Sequence, residues 1–359
     1  MRKILLGLII ASCLFSSSAF ACSDFLVKAK DNTVVVGRSM EFPLRLKSKV
    51  LVVPRQTTYF SVYENGEKGI TWTTQYGFLG INAYGLKDTF VEGFNEKGLT
   101  IDGLMFTGAV YEPFAANRSV PLDYIAAWAL GNFSTVEEVK NALPTVNITS
   151  AISNKLKSMG LHLAMHDAQG NSLVVEFING EKKIYDNPLG VMTNRPEFDW
   201  QLTNLRNYIN LGAEDRAPKK INGVEFEPTG VGSGLLGLPG DFTPPSRFVR
   251  LALEIDAAIK PKDEKEAVNL AEHLLNVVDI PKGTIKEPTK VPVVDLYGNA
   301  EWVIIKDLTN QVLYFKTYEN TVWKSVDLKK FDLAPGNTVK SLAIDDGQTP
   351  INDVSNQLK

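Results

Sequence analysis

The sequence predicts an α+β protein in which helices are layered on a central pair of sheets. Strand and helix patterns are segregated along the chain, which argues against the strict βαβ alternation of a parallel sheet. The first third is mostly β-patterned, a helical section follows, and β alternation returns after it and again near the C-terminus. No internal repeat, low-complexity tract or Pro/Gly/Ser linker divides residues 22–359, so they are expected to form one domain.

Taken in order, Asp24 to Ala29 and Thr33 to Gly37 are short strand-like runs joined by Lys30-Asp31-Asn32, the pattern of a hairpin. Further strands are expected at Lys49 to Val53 and Gly69 to Gln75. Another pair, Asp88 to Phe94 and Leu99 to Phe106, flanks the turn Asn95-Glu96-Lys97-Gly98. Pro121 to Leu130 has apolar residues at helical spacing and stops at Gly131-Asn132. Ser134-Thr135-Val136-Glu137 reads as a capping box opening a second helix, which Pro144 ends. Leu161 to His166 and Ser172 to Phe177 alternate around a turn at Ala168 to Asn171. Helical stripes follow at Phe198, Leu202, Leu205 and Ile209, at Phe248, Leu251, Ala252, Ile255 and Ile259, and over Glu264 to Val278. Gly230 to Pro245 reads as one long irregular loop. Trp302 to Lys306 and Val312 to Tyr318 alternate around Thr309-Asn310, and the polar tail after Leu333 is expected to be partly loose.

The 359 residues are 44% hydrophobic, enough for a substantial core. A formal charge of -3 offers no broad basic field, so no nucleic-acid partner is expected. Arg2 and Lys3 precede an apolar stretch from Ile4 to Phe15, and Ala19-Phe20-Ala21 fits signal peptidase cleavage. Residues 1–21 are therefore expected to be removed, leaving an exported protein, periplasmic or secreted. No later segment approaches the ~20 apolar residues of a membrane span. A rival reading takes Ile10-Ala11-Ser12-Cys13 as a lipoprotein box. It would leave Cys22 internal in a lipid-anchored binding protein without catalytic function.

Of the two cysteines, Cys13 leaves with the leader. An unpaired thiol in an oxidising compartment is a liability unless it is used. Cys22 stands immediately after the expected cleavage point, where a thiol and a free α-amine share one residue. The thiol can attack, and the amine, with an ordinary pKa of about 7.7 to 8.0, can accept its proton. No histidine is needed, and His162, His166 and His273 read as structural or surface residues. The chain has no HExxH, cysteine cluster, phosphate-binding loop or GxSxG elbow.

These residues, together with Gly37-Arg38-Ser39-Met40-Glu41, Phe94-Asn95-Glu96-Lys97-Gly98-Leu99, Val191-Met192-Thr193-Asn194 and Ser246-Arg247-Phe248-Val249-Arg250, resemble the choloylglycine hydrolase family. That family includes bile salt hydrolases and penicillin V acylases. The likeness extends from Cys22 to the Tyr314–Asn320 segment. It implies a four-layer αββα sandwich of the N-terminal nucleophile (Ntn) hydrolase type, and hydrolysis of a linear amide without a cofactor. Cys22 matches the nucleophile, and Arg38 the arginine beside it, whose charge favours thiolate over thiol. Unaided, Arg38 would read as a strand-end surface charge. Asn194 matches the side-chain donor of the oxyanion hole, and Met105 occupies the position whose backbone N–H is the second donor. Arg247 matches a second active-site arginine at the start of a helix.

Two departures stand out. The family usually has Asp at Glu41, so contact with the α-amine or thiol is expected to differ in geometry. Bile salt hydrolases commonly have Asn at Met105, which weakens a bile-salt assignment. The resemblance implies a small-molecule amide with an apolar acyl group: a conjugated bile salt, penicillin V or an N-acyl homoserine lactone. Acyl transfer to an acceptor amine would use the same residues, and homo-oligomerisation is left open.

Overall fold

A computed structural model describes residues 21–42, 44–153, 156, 159–287 and 296–357. Of the expected leader, including Cys13, only Ala21 falls within the described residues. The hairpin at the head of the chain forms as Cys22–Lys28 and Val34–Glu41, with Cys22 opposite Met40 and Asp24 opposite Arg38. Because side chains alternate across a strand, this register places Cys22, Asp24, Arg38 and Met40 on one face and Ser23, Phe25, Ser39 and Glu41 on the other.

The hairpin lies in a six-stranded antiparallel sheet. Its spatial order is Val191–Met192, Cys22–Lys28, Val34–Glu41, Ala300–Asp307, Val312–Thr317 and Lys324–Asp327. Eight antiparallel strands form the second sheet. They run Glu181–Asp186, Ser172–Ile178, Leu161–His166, Thr100–Met105, Phe90–Asn95, Phe78–Asn82, Lys49–Val53 and Lys340–Ala343. Met40, Trp302 and Ile304 of the first sheet pack with Phe94, Leu104, Ala164 and Val174 of the second in one buried cluster. Behind the first sheet lie the helices Pro244–Ala257 and Glu264–Asn276, which contribute Phe248, Leu251, Ala271 and Leu275 to the same cluster.

Behind the second sheet, Ile101, Leu163, Met165 and Val175 meet Trp128, Leu130 and Val139 in a separate core. Those last three residues come from the helices Ile125–Asn132 and Val136–Ala142. The result is the expected αββα order, with both faces of both sheets covered.

Several elements differ in detail from the sequence reading. The second helix is capped by Thr135, whose hydroxyl accepts from Glu138 N, while the Glu138 carboxylate accepts from Ser134 N at 2.6 Å. The capping device thus sits one residue later than the pattern suggests. Ile209 and Ile259, read as apolar stripe positions, lie beyond their helices and are 74% and 89% exposed. Pro244 and Pro245 open a helix where a loop was expected, as Pro's fixed φ allows in a first turn. Tail residues Lys340–Ala343 pair with Lys49–Val53 as an edge strand, and Ile344 behind them is buried.

Candidate active site

Cys22 sits at the first position of an inner strand, with its side chain buried between the sheets. Beside it, Val191–Met192 pairs with Asp24 and Phe25, so the chain leaving that short strand carries Thr193 and Asn194 alongside Cys22. Asn194 Oδ1 accepts from Cys22 N at 2.7 Å and from Arg247 Nη2 at 2.9 Å. Two donors on one atom fix the orientation of the amide, and its Nδ2 correspondingly faces an acceptor, Met105 O, at 2.8 Å.

Arg247 comes from the first turn of its helix and is fully buried. Its Nη1 donates to Cys22 O and to Ser23 Oγ, both at 2.6 Å, and its Nε donates to Phe242 O at 3.0 Å. Burial disfavours its charge, which the neighbouring Glu41 and Cys22 partly offset. A cation at the positive end of a helix is locally unfavourable, and four aligned acceptors are what hold this one there.

Arg38 reaches the same cysteine from the opposite face. Its Nη2 lies 3.9 Å from Cys22 Sγ and donates to Gly103 O at 2.6 Å, while Nη1 donates to Ser39 O at 2.5 Å. Burial works against its charge, but Glu92, Cys22, Asp102 and Glu41 together hold the guanidinium above its usual value.

Glu41 departs from expectation. Cys22 N is engaged by Asn194, and neither Glu41 carboxylate oxygen has a hydrogen-bond partner among the described residues. The cause is strand alternation, which puts Glu41 on the helix-facing side with Arg247 rather than beside the thiol. Burial pushes its carboxyl up to about 7 against the pull of Arg247 and Arg38.

Met105 lines, with Cys22, Met40, Phe42, Leu46, Phe90, Leu122 and Leu161, an apolar pocket of about 40 Å³. The structure therefore gathers all six residues singled out in the sequence around the start of one strand. Of the histidines, His162 and His166 are buried on other partners, and His273 is exposed. Sequence reasoning missed a set of buried charges behind Arg38, namely Asp24, Glu92, Asp102 and Lys306. Among the described residues, no group of three or more His, Cys, Asp or Glu is placed to hold a metal ion, and no helix is long and apolar enough to cross a membrane.

Two facing sheets between helical layers, with a cysteine heading an inner strand, define an Ntn-hydrolase sandwich. A mutant of the conjugated bile acid hydrolase from Clostridium perfringens matches it with a TM-score of 0.81 at 32% identity, over 93% of this chain and 100% of that one. Penicillin V acylase from Agrobacterium tumefaciens matches with a TM-score of 0.73 at 25% identity, over 90% and 91%. The family model described as linear amide C–N hydrolases, choloylglycine hydrolase family, matches residues 22–351, and the chain belongs to that family. It is a hydrolase of linear amide C–N bonds. A bile salt hydrolase/transferase of Clostridium perfringens is 34% identical over 330 residues, 89% of this chain and 96% of that protein.

Proposed function

We propose that the chain is exported, that residues 1–21 are removed, and that Cys22 as the new first residue attacks the amide carbonyl. The observation that carries this is convergence on one residue. Asn194, Arg247 and Arg38 all meet Cys22, and the family match also begins there. The α-amine takes the thiol proton and returns it to the leaving amine, leaving a thioester that water resolves. One N–H of Asn194 is used on Met105 O, and we assign its second N–H, with the Met105 backbone N–H, to the oxyanion. Arg38 supplies positive charge to the thiol, while Arg247 orients the first residue through Cys22 O and Glu41 favours the buried Arg247 charge.

N-terminal sequencing of exported protein should read Cys-Ser-Asp-Phe, and a lipid-modified start at Cys13 would sink this reading. A variant carrying Gly-Ser ahead of Cys22 turns the amine into an amide that cannot accept a proton. It should lose ~10² to 10⁴ in rate, the usual worth of general acid–base catalysis. Normal turnover by a folded, thiol-labelable variant would require another base.

The substrate is an amide with a slender apolar acyl group. The pocket beside the thiol has room for only a few water molecules, although Met40, Met105 and Met159 on its walls can repack. Penicillin V or an N-acyl homoserine lactone is therefore expected to be cleaved at least as well as glycocholate. A second reading, conjugated bile salts, has its own support in the 34% identity to the Clostridium perfringens protein. Penicillin V acylase of Pectobacterium atrosepticum, by comparison, is 26% identical over 371 residues. Comparing kcat/KM across the three substrates decides, and a strong preference for glycocholate overturns the first reading. The transferase half of the Clostridium perfringens protein's name also makes acyl transfer worth assaying, with and without an added acceptor amine.

A further inference from the structure

Behind Arg38, away from any solvent, the space between the sheets holds Asp24, Glu92, Asp102, His166 and Lys306. Register explains the gathering. Glu92 lies opposite Asp102 in the second sheet, and Thr100 opposite His166, all pointing inward. In the first sheet Asp24 lies opposite Arg38, and Lys306 is two residues along from Ile304, which is opposite Arg38 on the other side.

The contacts join Arg38, Glu92, Asp102 and Lys306 in one set, with the Asp24–His166 pair beside it. Arg38 Nε is 3.4 Å from Glu92 Oε2 and 3.7 Å from Asp102 Oδ1. Glu92 Oε1 accepts from Trp302 Nε1 at 2.5 Å, which fixes its carboxylate. Lys306 Nζ donates to both Asp102 oxygens and, at 2.9 Å, to Thr100 Oγ1, which in turn donates to Gly93 O at 2.7 Å. His166 Nε2 lies 2.6 Å from Asp24 Oδ1.

Buried charges of this kind are poor stabilisers, since desolvation offsets most of their attraction and apolar residues of similar size often do as well. Their effect on a neighbouring group is another matter, because low dielectric carries it far. Resting on the reading of Cys22 as nucleophile, we propose that Glu92, Asp102 and Lys306 are positioning residues that hold Arg38 against the Cys22 thiol and set the electric field there. Glu92 and Asp102 face the guanidinium from its Nε side as ion pairs without a hydrogen bond, while Gly103 O and Ser39 O take its Nη2 and Nη1, with Nη2 the atom nearest Sγ. Lys306 neutralises Asp102, which would otherwise cancel part of the Arg38 charge. The balance is close. Burial, reinforced by Asp24 and Glu92, works to raise the Asp102 carboxyl, and Lys306, then Arg38, pull against it. Burial also opposes the Asp24 charge, yet His166, then Lys306 and Arg38, hold that carboxyl below its usual range.

Alkylation of Cys22 followed from pH 5 to 9, alongside amide turnover, tests the assignment on the processed enzyme. Asp102→Asn removes a negative charge beside Arg38 and should lower the alkylation midpoint by about half a pH unit or more, whereas Lys306→Met should raise it by a similar amount. The double variant should return close to the parent value. Opposite signs are what a purely structural role could not produce, since lost packing would impair both variants alike. Should either single variant fail to fold by circular dichroism, Glu92→Gln must lower the midpoint, its amide oxygen still accepting from Trp302. Midpoints that move together, or stay fixed in folded variants, overturn the assignment while leaving Cys22 as nucleophile. Full turnover by alkylated enzyme would instead overturn the nucleophile itself, and the positioning role with it.

Discussion

Glu41 is three residues from Arg38 on one strand, and the odd spacing is enough to separate them by the thickness of a sheet. Its position was legible from the family pattern, but its surroundings were not, because sequence does not say which face of a doubly covered strand meets helices. The consequence can be measured. A carboxyl whose folded value is raised from 4.5 to about 7 binds its proton more tightly in the folded chain than in the unfolded one. That contribution to stability is present below about pH 4.5 and is lost as pH rises to about 7, a change on the order of 3 kcal/mol. Glu41→Gln should lack it. Denaturant melts of both proteins between pH 4.5 and 8 should show the wild type losing stability relative to the variant across that window. Parallel curves would mean that Glu41 is ionised throughout. Cys22, Arg38, Asn194, Met105 and Arg247 were also found from sequence, whereas Asp102 and Lys306 were hidden by a different effect. Polar residues alternating with apolar ones read as a solvated face, and here both faces of both sheets are inside.

Among the elements, those with a strong local signal were legible and those defined by their neighbours were not. The first hairpin, the Asn95–Gly98 turn and the Glu264–Asn276 helix follow from alternation, turn residues and capping. Phe78–Asn82 was missed because it is apolar on both faces and interrupted by Gly80. A side chain at Gly80 would meet the Phe90 ring at 2.4 Å, so the glycine is a packing requirement rather than a break. Glu181–Asp186 was missed because an edge strand carries charge, which guards against pairing with other chains. The capping shift at the second helix gives a direct check. Thr135 Oγ1 serves Glu138 N at 3.2 Å, so Thr135→Ala should cost about 1 kcal/mol. Asp167 Oδ2, which accepts from Val136 N at 3.0 Å, still satisfies a neighbouring donor and keeps the loss from growing. Urea melts measure it, and an unchanged midpoint would show that Asp167 alone secures the helix start.

For the whole molecule, the two cores are not independent, because the same strands carry both. In the second sheet Leu104 and Ala164 face the first sheet, while Ile101 and Leu163 on those same two strands face the outer helices. Losing either core removes the surface on which the other is built, so residues 22–359 are expected to unfold as one unit although chains of this size often do not. Tryptophans report on both layers. Trp302 lies between the sheets, hydrogen-bonded to Glu92, whereas Trp128 lies in the outer core beside Phe133. Thermal unfolding followed by fluorescence and by far-ultraviolet circular dichroism should therefore give coincident curves. Leu104→Ala empties part of the inner core and Leu163→Ala part of the outer one, each at roughly 2 to 5 kcal/mol. Both should lower the midpoint of the single transition seen by either probe. If Leu163→Ala instead split the curve, with the circular dichroism of the outer helices lost before the Trp302 environment changed, the layers would be separately stable and the single-domain reading would fail.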